Sequence, residues 1–309
     1  MSESPVTVPV CYRHPSRETY VRCARCERPI CPDCMRAASV GHQCPECVAE
    51  GRRTQRPART AFGGSAAGRE GYATKALIGL NVVVALIGVA MSGASSLFDG
   101  GIFASATRLT YLGGVLGETI TVNGDRWLIG NVPALGDVYT GIADGAYYRL
   151  ITAMFLHYGL IHLALNMWAL WVLGRNLEAV LGPARFLGLY LLAGLGGNVA
   201  CYLLSPNSLA AGASTAVFGL FAAFFVVLRK LGRDTSAVIG ILVVNVVLTF
   251  TVPGISIAGH LGGLITGAVV GAVLAYAPRE RRNLVQAGGS AAVLVVLVVV
   301  TLLQTVALT

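Results

Sequence analysis

The sequence predicts an α-helical polytopic membrane protein with a small cysteine-rich module ahead of it. Three observations carry this. Of 309 residues, 55% are hydrophobic and only 12% charged, against about 25% charged in a soluble domain. None of the 15 acidic residues falls inside a long apolar run as those runs are drawn below. Seven of the eight cysteines lie between Cys11 and Cys47, which sets residues 1–50 apart from everything after them.

Residues 1–50 read as a metal module. The donors fall as Cys11-x2-His14, Cys23-x2-Cys26, Cys31-x2-Cys34 and Cys44-x2-Cys47. A two-residue gap lets one tight turn aim both donors at the same ion. Four such pairs hold two tetrahedral Zn2+ ions. Two pairings are open. In the interleaved form Cys11, His14, Cys31 and Cys34 hold one ion and Cys23, Cys26, Cys44 and Cys47 the other; in the sequential form the first four donors hold one and the last four the other. A disulfide framework competes, but a reducing cytoplasm disfavours it. His42 is a spare donor. With so little apolar material, the metal would supply much of the folding energy. The donor order resembles B-box-like cross-braced fingers, which implies a cytoplasmic protein partner. No helix with spaced base-reading side chains lies between the donors, so nucleic acid is not expected. Residues 51–75, rich in Gly, Arg, Ala and Thr, read as a flexible basic linker.

Seven apolar stretches follow, at about 76–93, 150–173, 186–204, 213–228, 236–252, 255–277 and 288–308. Each is near the ~20 residues that cross a bilayer as helix, the fourth and fifth being short. Basic residues set the topology. Arg52, Arg53, Arg56, Arg59, Arg69 and Lys75 precede the first stretch, Arg175 and Arg185 follow the second, Arg229, Lys230 and Arg233 the fourth, and Arg279, Arg281 and Arg282 the sixth. The alternate loops carry few, apart from Arg108, Arg126 and Arg149 in the long first loop. The positive-inside rule then puts the N-terminus in the cytoplasm and the C-terminus outside. The net charge of +8 suits anionic lipid at the inner surface. The first long apolar run arrives only after residue 75, unlike a signal peptide. The expected location is the bacterial cytoplasmic membrane.

Polar residues inside these stretches carry the chemistry, since they are expensive there. Ser214 lies in Gly212-Ala-Ser-Thr-Ala-Val-Phe-Gly219 and His260 in Gly259-His-Leu-Gly-Gly-Leu-Ile-Thr-Gly267. An imidazole that takes a hydroxyl proton makes serine a nucleophile. A lone membrane serine is more often a packing residue, as Cys201 is read here, but packing does not explain His260. His260, Gly263 and Gly267 share one helix face, and Thr215 and Gly219 make a matching small surface, so the sixth helix is expected against the fourth. His162 and Asn166 share a face of the second helix, with His157 one turn further towards the outer surface, and both can donate to an oxyanion. The backbone N–H of Ser214, after a Gly212–Ala213 turn, makes a third donor. With no carboxylate to orient His260, a Ser–His dyad is expected rather than a triad. There is no His-Glu-x-x-His and no pair of intramembrane aspartates, which excludes zinc and aspartyl mechanisms. A transporter is disfavoured by the lack of repeated halves and of an intramembrane carboxylate.

His157-x4-His162-x3-Asn166, Gly212-x-Ser214-x4-Gly219 and His260-x2-Gly263-x3-Gly267, in that order, resemble the rhomboid intramembrane serine proteases over about residues 76–277. The resemblance implies a six-helix core, with residues 278–309 adding a seventh transmembrane helix. It implies Ser214 as nucleophile, His260 as general base, and His162, Asn166 and the Ser214 amide as the oxyanion hole. It also implies transmembrane protein substrates, cleaved near the outer ends of their helices. Residues 93–149 would be the family's first loop, partly in the outer leaflet, with Tyr148-Arg149 where the family often has Trp-Arg. Arg175 to Glu178 would stand near its turn after the second helix. Thr215 stands where the family usually has glycine, and an inactive rhomboid-like binding protein is the alternative this raises.

Overall fold

A computed structural model describes residues 8–55, 58–98, 105–124 and 126–309. The chain forms two compact units, Met1–Pro57 and Ala58–Thr309.

The first unit has almost no ordinary core. Its buried apolar residues are Ile30 and six cysteines, with Tyr12, Cys26 and Met35 packed alongside. Two short strands, β1 (Arg36–Ala37) and β2 (His42–Gln43), pair antiparallel. One helix, α1 (Pro45–Thr54), starts with Pro at its first position, and the Cys44 sulfur caps it by accepting from Cys47 N–H. The ion pairs Arg25–Glu50 and Arg28–Glu46 are largely exposed, so each adds at most about 1 kcal/mol.

The second unit is helical: α2 (Tyr72–Ser92), α3 (Arg108–Gly113), α4 (Arg149–Thr152), α5 (Gly159–Leu181), α6 (Pro183–Leu204), α7 (Ser214–Lys230), α8 (Ser236–Thr251), α9 (Ile257–Tyr276) and α10 (Arg282–Leu308). Helices α2, α6, α9 and α10 are each long and apolar enough to cross a membrane. Exposed apolar side chains such as Leu86, Val295 and Leu303 suit a lipid surround. Helices α7 and α8 are shorter, at 17 and 16 residues. Between α3 and α4 a three-stranded antiparallel sheet runs in the order β4 (Arg126–Ile129), β3 (Ile120–Asn123), β5 (Asp137–Tyr139). Arg149, 1% exposed, ties this loop down. Its guanidinium donates to the carbonyls of Thr140 (2.8 Å), Tyr111 (2.8 Å) and Gly114 (2.9 Å).

Three expectations are corrected. The stretch read as one span over 150–173 is broken: Arg149–Phe155 and Gly159–Leu181 meet at 92°, with Gly159 at φ +76° starting the second piece. His157 therefore sits in the bend, not one turn along the helix from His162. The same helix runs on to Leu181, past the expected end at 173, so Arg175 to Glu178 are helical and an acidic residue does lie within a spanning helix. Glu178 is fully buried and accepts from Ala73 N–H (3.0 Å), Thr74 N–H (2.8 Å) and the Thr74 hydroxyl (2.7 Å). It caps the start of α2 from a neighbouring helix, where a carboxylate also meets the positive helix end. Finally, most of the expected linker 51–75 is not free. Helix α1 takes residues to Thr54, and residues from Ala58 onward belong to the helical unit. Phe62 is buried and its N–H reaches the Val180 carbonyl. Gly64 and Gly68 lie so close to the end of α5 that a Cβ would come within 1.9 Å of Leu181 O and 2.1 Å of Glu178 O. Glycines that suggested flexibility serve close approach instead.

Helices α6, α7 and α9 pack at glycine. A Cβ on Gly263 would lie 1.9 Å from the Thr215 carbonyl, one on Gly267 2.2 Å from the Gly219 carbonyl, and one on Gly197 2.6 Å from the Gly259 carbonyl. Only backbone against backbone fits there. Helix α10 joins through Gln286, which donates to Leu274 O (2.7 Å) and Phe62 O (3.2 Å), and through Thr305, 3.0 Å from the Tyr202 hydroxyl.

Candidate active site and metal centres

The cysteine module brings its eight donors together in two groups: Cys11, His14, Cys31 and Cys34, and Cys23, Cys26, Cys44 and Cys47. This is the interleaved pairing. Within each group the donor atoms lie within 4.8 Å of one another, and all eight cysteines of the chain are free thiols. The first group is drawn around His14 Nδ1, 3.2 Å from Cys31 Sγ and 3.4 Å from Cys34 Sγ. His42, on β2, is exposed and in neither group. Burial works against ionising Cys11, yet the backbone N–H groups of Cys31, Arg13 and His14 outweigh it and lower its pKa to about 6. Burial and then the Cys11 and Cys31 thiols raise Cys34 to about 11. Clustered thiols resist joint ionisation without a cation, and three thiolates with one imidazole, or four thiolates, are donor sets that suit Zn2+.

The second site lies where α5, α7, α8 and α9 meet. Gly212, at φ +143°, turns the chain so that Ser214 is the first residue of α7. Its N–H has no intrahelical acceptor by position. A Cβ on Gly212 would fall 3.0 Å from His162 Nε2 and 3.3 Å from Ser214 Oγ, so both polar atoms converge on that glycine. The Tyr158 N–H points at His162 Nδ1 (3.3 Å). Nδ1 is thus an acceptor, which puts the proton on Nε2. Asn166, 6% exposed, spends one amide N–H on the His162 carbonyl (2.9 Å) and keeps a second. His157, in the bend, accepts from Ala213 N–H (3.4 Å) and meets the His162 ring edge-on at 5.2 Å.

His260 is buried on the first turn of α9. Its ring stacks on Phe218, one turn beyond Ser214 on α7, with centroids 3.9 Å apart and planes at 19°. Among the described residues, its side chain's hydrogen bond runs from Nδ1 to Thr249 Oγ1 on α8, at 2.8 Å. Sequence reasoning missed both neighbours. Phe218 falls four residues after Ser214, a spacing that could have flagged it. Thr249 carried no signal beyond being polar in an apolar stretch. Thr215 is buried beneath the serine, with its hydroxyl unpartnered.

A rhomboid domain model matches residues 144–277. The chain is 40% identical over 141 residues to rhomboid protease GluP of Bacillus subtilis, covering 43% of this chain and 27% of that protein. It is 35% identical over 171 residues to putative rhomboid protease YdcA of the same organism, covering 50% of this chain and 85% of YdcA. RHOMBOID-like protein 6, mitochondrial, of Arabidopsis thaliana is 33% identical over 155 residues, 47% of this chain and half of that protein. The chain thus spans about a quarter of GluP and half of the plant protein. The matched region holds Ser214, His260 and their neighbours, and excludes the cysteine module. With 85% of YdcA covered at that identity, the chain belongs to the rhomboid family of membrane proteins.

Proposed function

We propose that this chain is an intramembrane serine endopeptidase that cleaves the transmembrane helices of membrane-protein substrates. The observation that carries the reading is the convergence of Ser214 and His162 on Gly212, with His260 stacked one turn away on Phe218. Ser214 Oγ attacks the scissile carbonyl carbon while its proton passes to His260 Nε2. The oxyanion receives hydrogen bonds from His162 Nε2–H, the second N–H of Asn166 and the Ser214 amide. His260 returns the proton to the leaving amine, and water then hydrolyses the acyl-enzyme by the same route. A substrate helix must first unwind, because its carbonyls are held in hydrogen bonds.

Helices α7 and α8 complete seven spans, with the N-terminus cytoplasmic and the C-terminus extracytoplasmic in a bacterial cytoplasmic membrane. Residues 1–50 are a B-box-like module holding two structural zinc ions, which recruits a cytoplasmic protein or regulates the protease. No metal takes part in the serine chemistry. Thr215, where the family usually has glycine beside the serine, is what leaves a second reading, a rhomboid that binds membrane proteins without cutting them.

A fluorophosphonate probe decides between them. Labelling of the wild type that is lost in Ser214→Ala and in His260→Ala, together with non-additive loss of model-substrate cleavage in liposomes, supports the protease. A folded wild type that takes no label overturns it.

A further inference from the structure

Of α8's 16 residues only Val238 and Thr249 are buried. Thr249 spends its burial on two contacts. Its Oγ1 lies 2.8 Å from the Asn245 carbonyl and 2.8 Å from His260 Nδ1. A hydroxyl has one proton to give, and a carbonyl can only accept. The Thr249 proton therefore goes to Asn245 O. The oxygen that remains can only accept, so His260 Nδ1 must be the donor.

We propose that Thr249 is the positioning residue of the catalytic base: its hydroxyl oxygen, aimed by the Asn245 carbonyl, holds the His260 proton on Nδ1 and leaves the Nε2 lone pair for Ser214. The proposal rests on the Ser214–His260 reading above. It supplies an orienting group for the histidine where, among the described residues, no carboxylate does so. The donor order is Asn245 C=O, accepting from Thr249 O–H, whose oxygen accepts from His260 Nδ1–H. It is complementary to His162, whose proton sits on Nε2. One imidazole is set to accept a proton and the other to donate, by a hydroxyl in one case and a backbone N–H in the other.

The bland alternative is that Thr249 simply back-bonds to its own helix, as threonines do. Thr251, on the same helix, makes that bond to Val247 O at 2.9 Å and is exposed. The contact with His260 is what distinguishes Thr249. A β-branched side chain in a helix has few rotamers, so the Asn245 bond fixes where the oxygen points.

Thr249→Val keeps the shape and removes the acceptor; Thr249→Ser keeps the acceptor. With a model transmembrane substrate in liposomes, Val is expected to lower kcat on the order of 10²-fold with KM unchanged, less than the 10⁴-fold of a triad whose histidine is wrongly tautomerised. Ser is expected to restore most of the rate. The second readout needs no activity. The chain has 5 histidines, so ¹⁵N-histidine spectra can be assigned by His260→Ala. His260 should carry its proton on Nδ1 in the wild type and in Thr249→Ser, and lose that preference in Thr249→Val. Wild-type kcat in Thr249→Val, or a wild-type His260 protonated on Nε2, overturns the proposal. Should the valine variant fail to fold, the wild-type tautomer and the serine variant still decide it. Absence of Ser214-dependent probe labelling in a wild type with the Nδ1 tautomer present overturns the nucleophile reading, and the positioning role falls with it. Labelling present with the tautomer reversed overturns Thr249 alone.

Discussion

Adding one methyl group at Gly267 should separate the two helices that carry Ser214 and His260. A Cβ there would lie 2.2 Å from the Gly219 carbonyl oxygen and 2.3 Å from its Cα, and ordinary contact begins at 3.4 Å. The atoms in the way are backbone, so no side chain can rotate aside. Helix α9 must move by about 1.2 Å, the difference between 3.4 and 2.2 Å. His260 rides on α9 and Ser214 on α7, so that displacement falls between the proposed base and the proposed nucleophile. A shift near 1 Å costs on the order of 10² in rate. Overpacking should cost about 1–3 kcal/mol of stability, partly offset by the ~1 kcal/mol that alanine gains over glycine inside a helix. Gly240→Ala on α8 is the control, since nothing lies within 4 Å of its Cβ position; it should be neutral or slightly stabilising. Cleavage in liposomes and thermal unfolding in detergent read the two effects. A Gly267→Ala protein with wild-type rate and stability refutes the close crossing of α7 and α9, and with it the route by which His260 reaches Ser214.

Other consequences follow from single contacts. Replacing Thr215 by Val removes a buried hydroxyl that has no partner and should stabilise by about 1 kcal/mol in thermal unfolding; Thr215→Gly, restoring the residue usual in the family, should keep or raise the cleavage rate, and its complete loss would give Thr215 a positive role. Glu178→Gln keeps the shape but loses the charge that accepts from Ala73 and Thr74, so unfolding should cost about 1–3 kcal/mol less, with Glu178→Ala worse. Elemental analysis should find two zinc ions per chain, one after Cys44→Ser, and still two after His42→Phe; zinc-free protein with paired disulfides by mass would refute the metal reading.

Much of this was legible in the residues because a membrane makes polar side chains conspicuous. Ser214, His260, His162 and Asn166 stood out as polar groups among glycines at helical spacing, and the donor pairs of residues 1–50 stood out by their two-residue gaps. What was missed depended on the crossing of helices. Hydropathy fades at Arg175, so the stretch was ended there, and Glu178 looked like a loop acid rather than a cap for a helix more than 100 residues earlier in the chain. An unbroken apolar run hid the bend at His157. Its only cues were His157 itself and the following Tyr158-Gly159. Thr249 has no pattern of its own: its meaning comes from where α8 passes α9. The Gly-rich stretch from Ala58 shows the opposite error, composition taken for flexibility when the glycines were there to let backbone approach backbone.

Hydrogen-bond accounting separates the two uses of polar residues in this helical unit. Arg149 meets three carbonyls, Glu178 meets three donors, and Asn198 donates to Leu150 O at 2.9 Å. Each joins elements distant in sequence through partners that cannot change protonation. They are staples, and removing one leaves buried groups unmatched. The residues around Ser214 are held differently. His162 and His260 are each held through Nδ1, and Asn166 through one N–H. A side chain held in place by such a bond is preorganised before a substrate arrives, as transition-state stabilisation would require. Burial alone does not make that distinction, since Glu178 is more buried than either histidine; the direction of each hydrogen bond does.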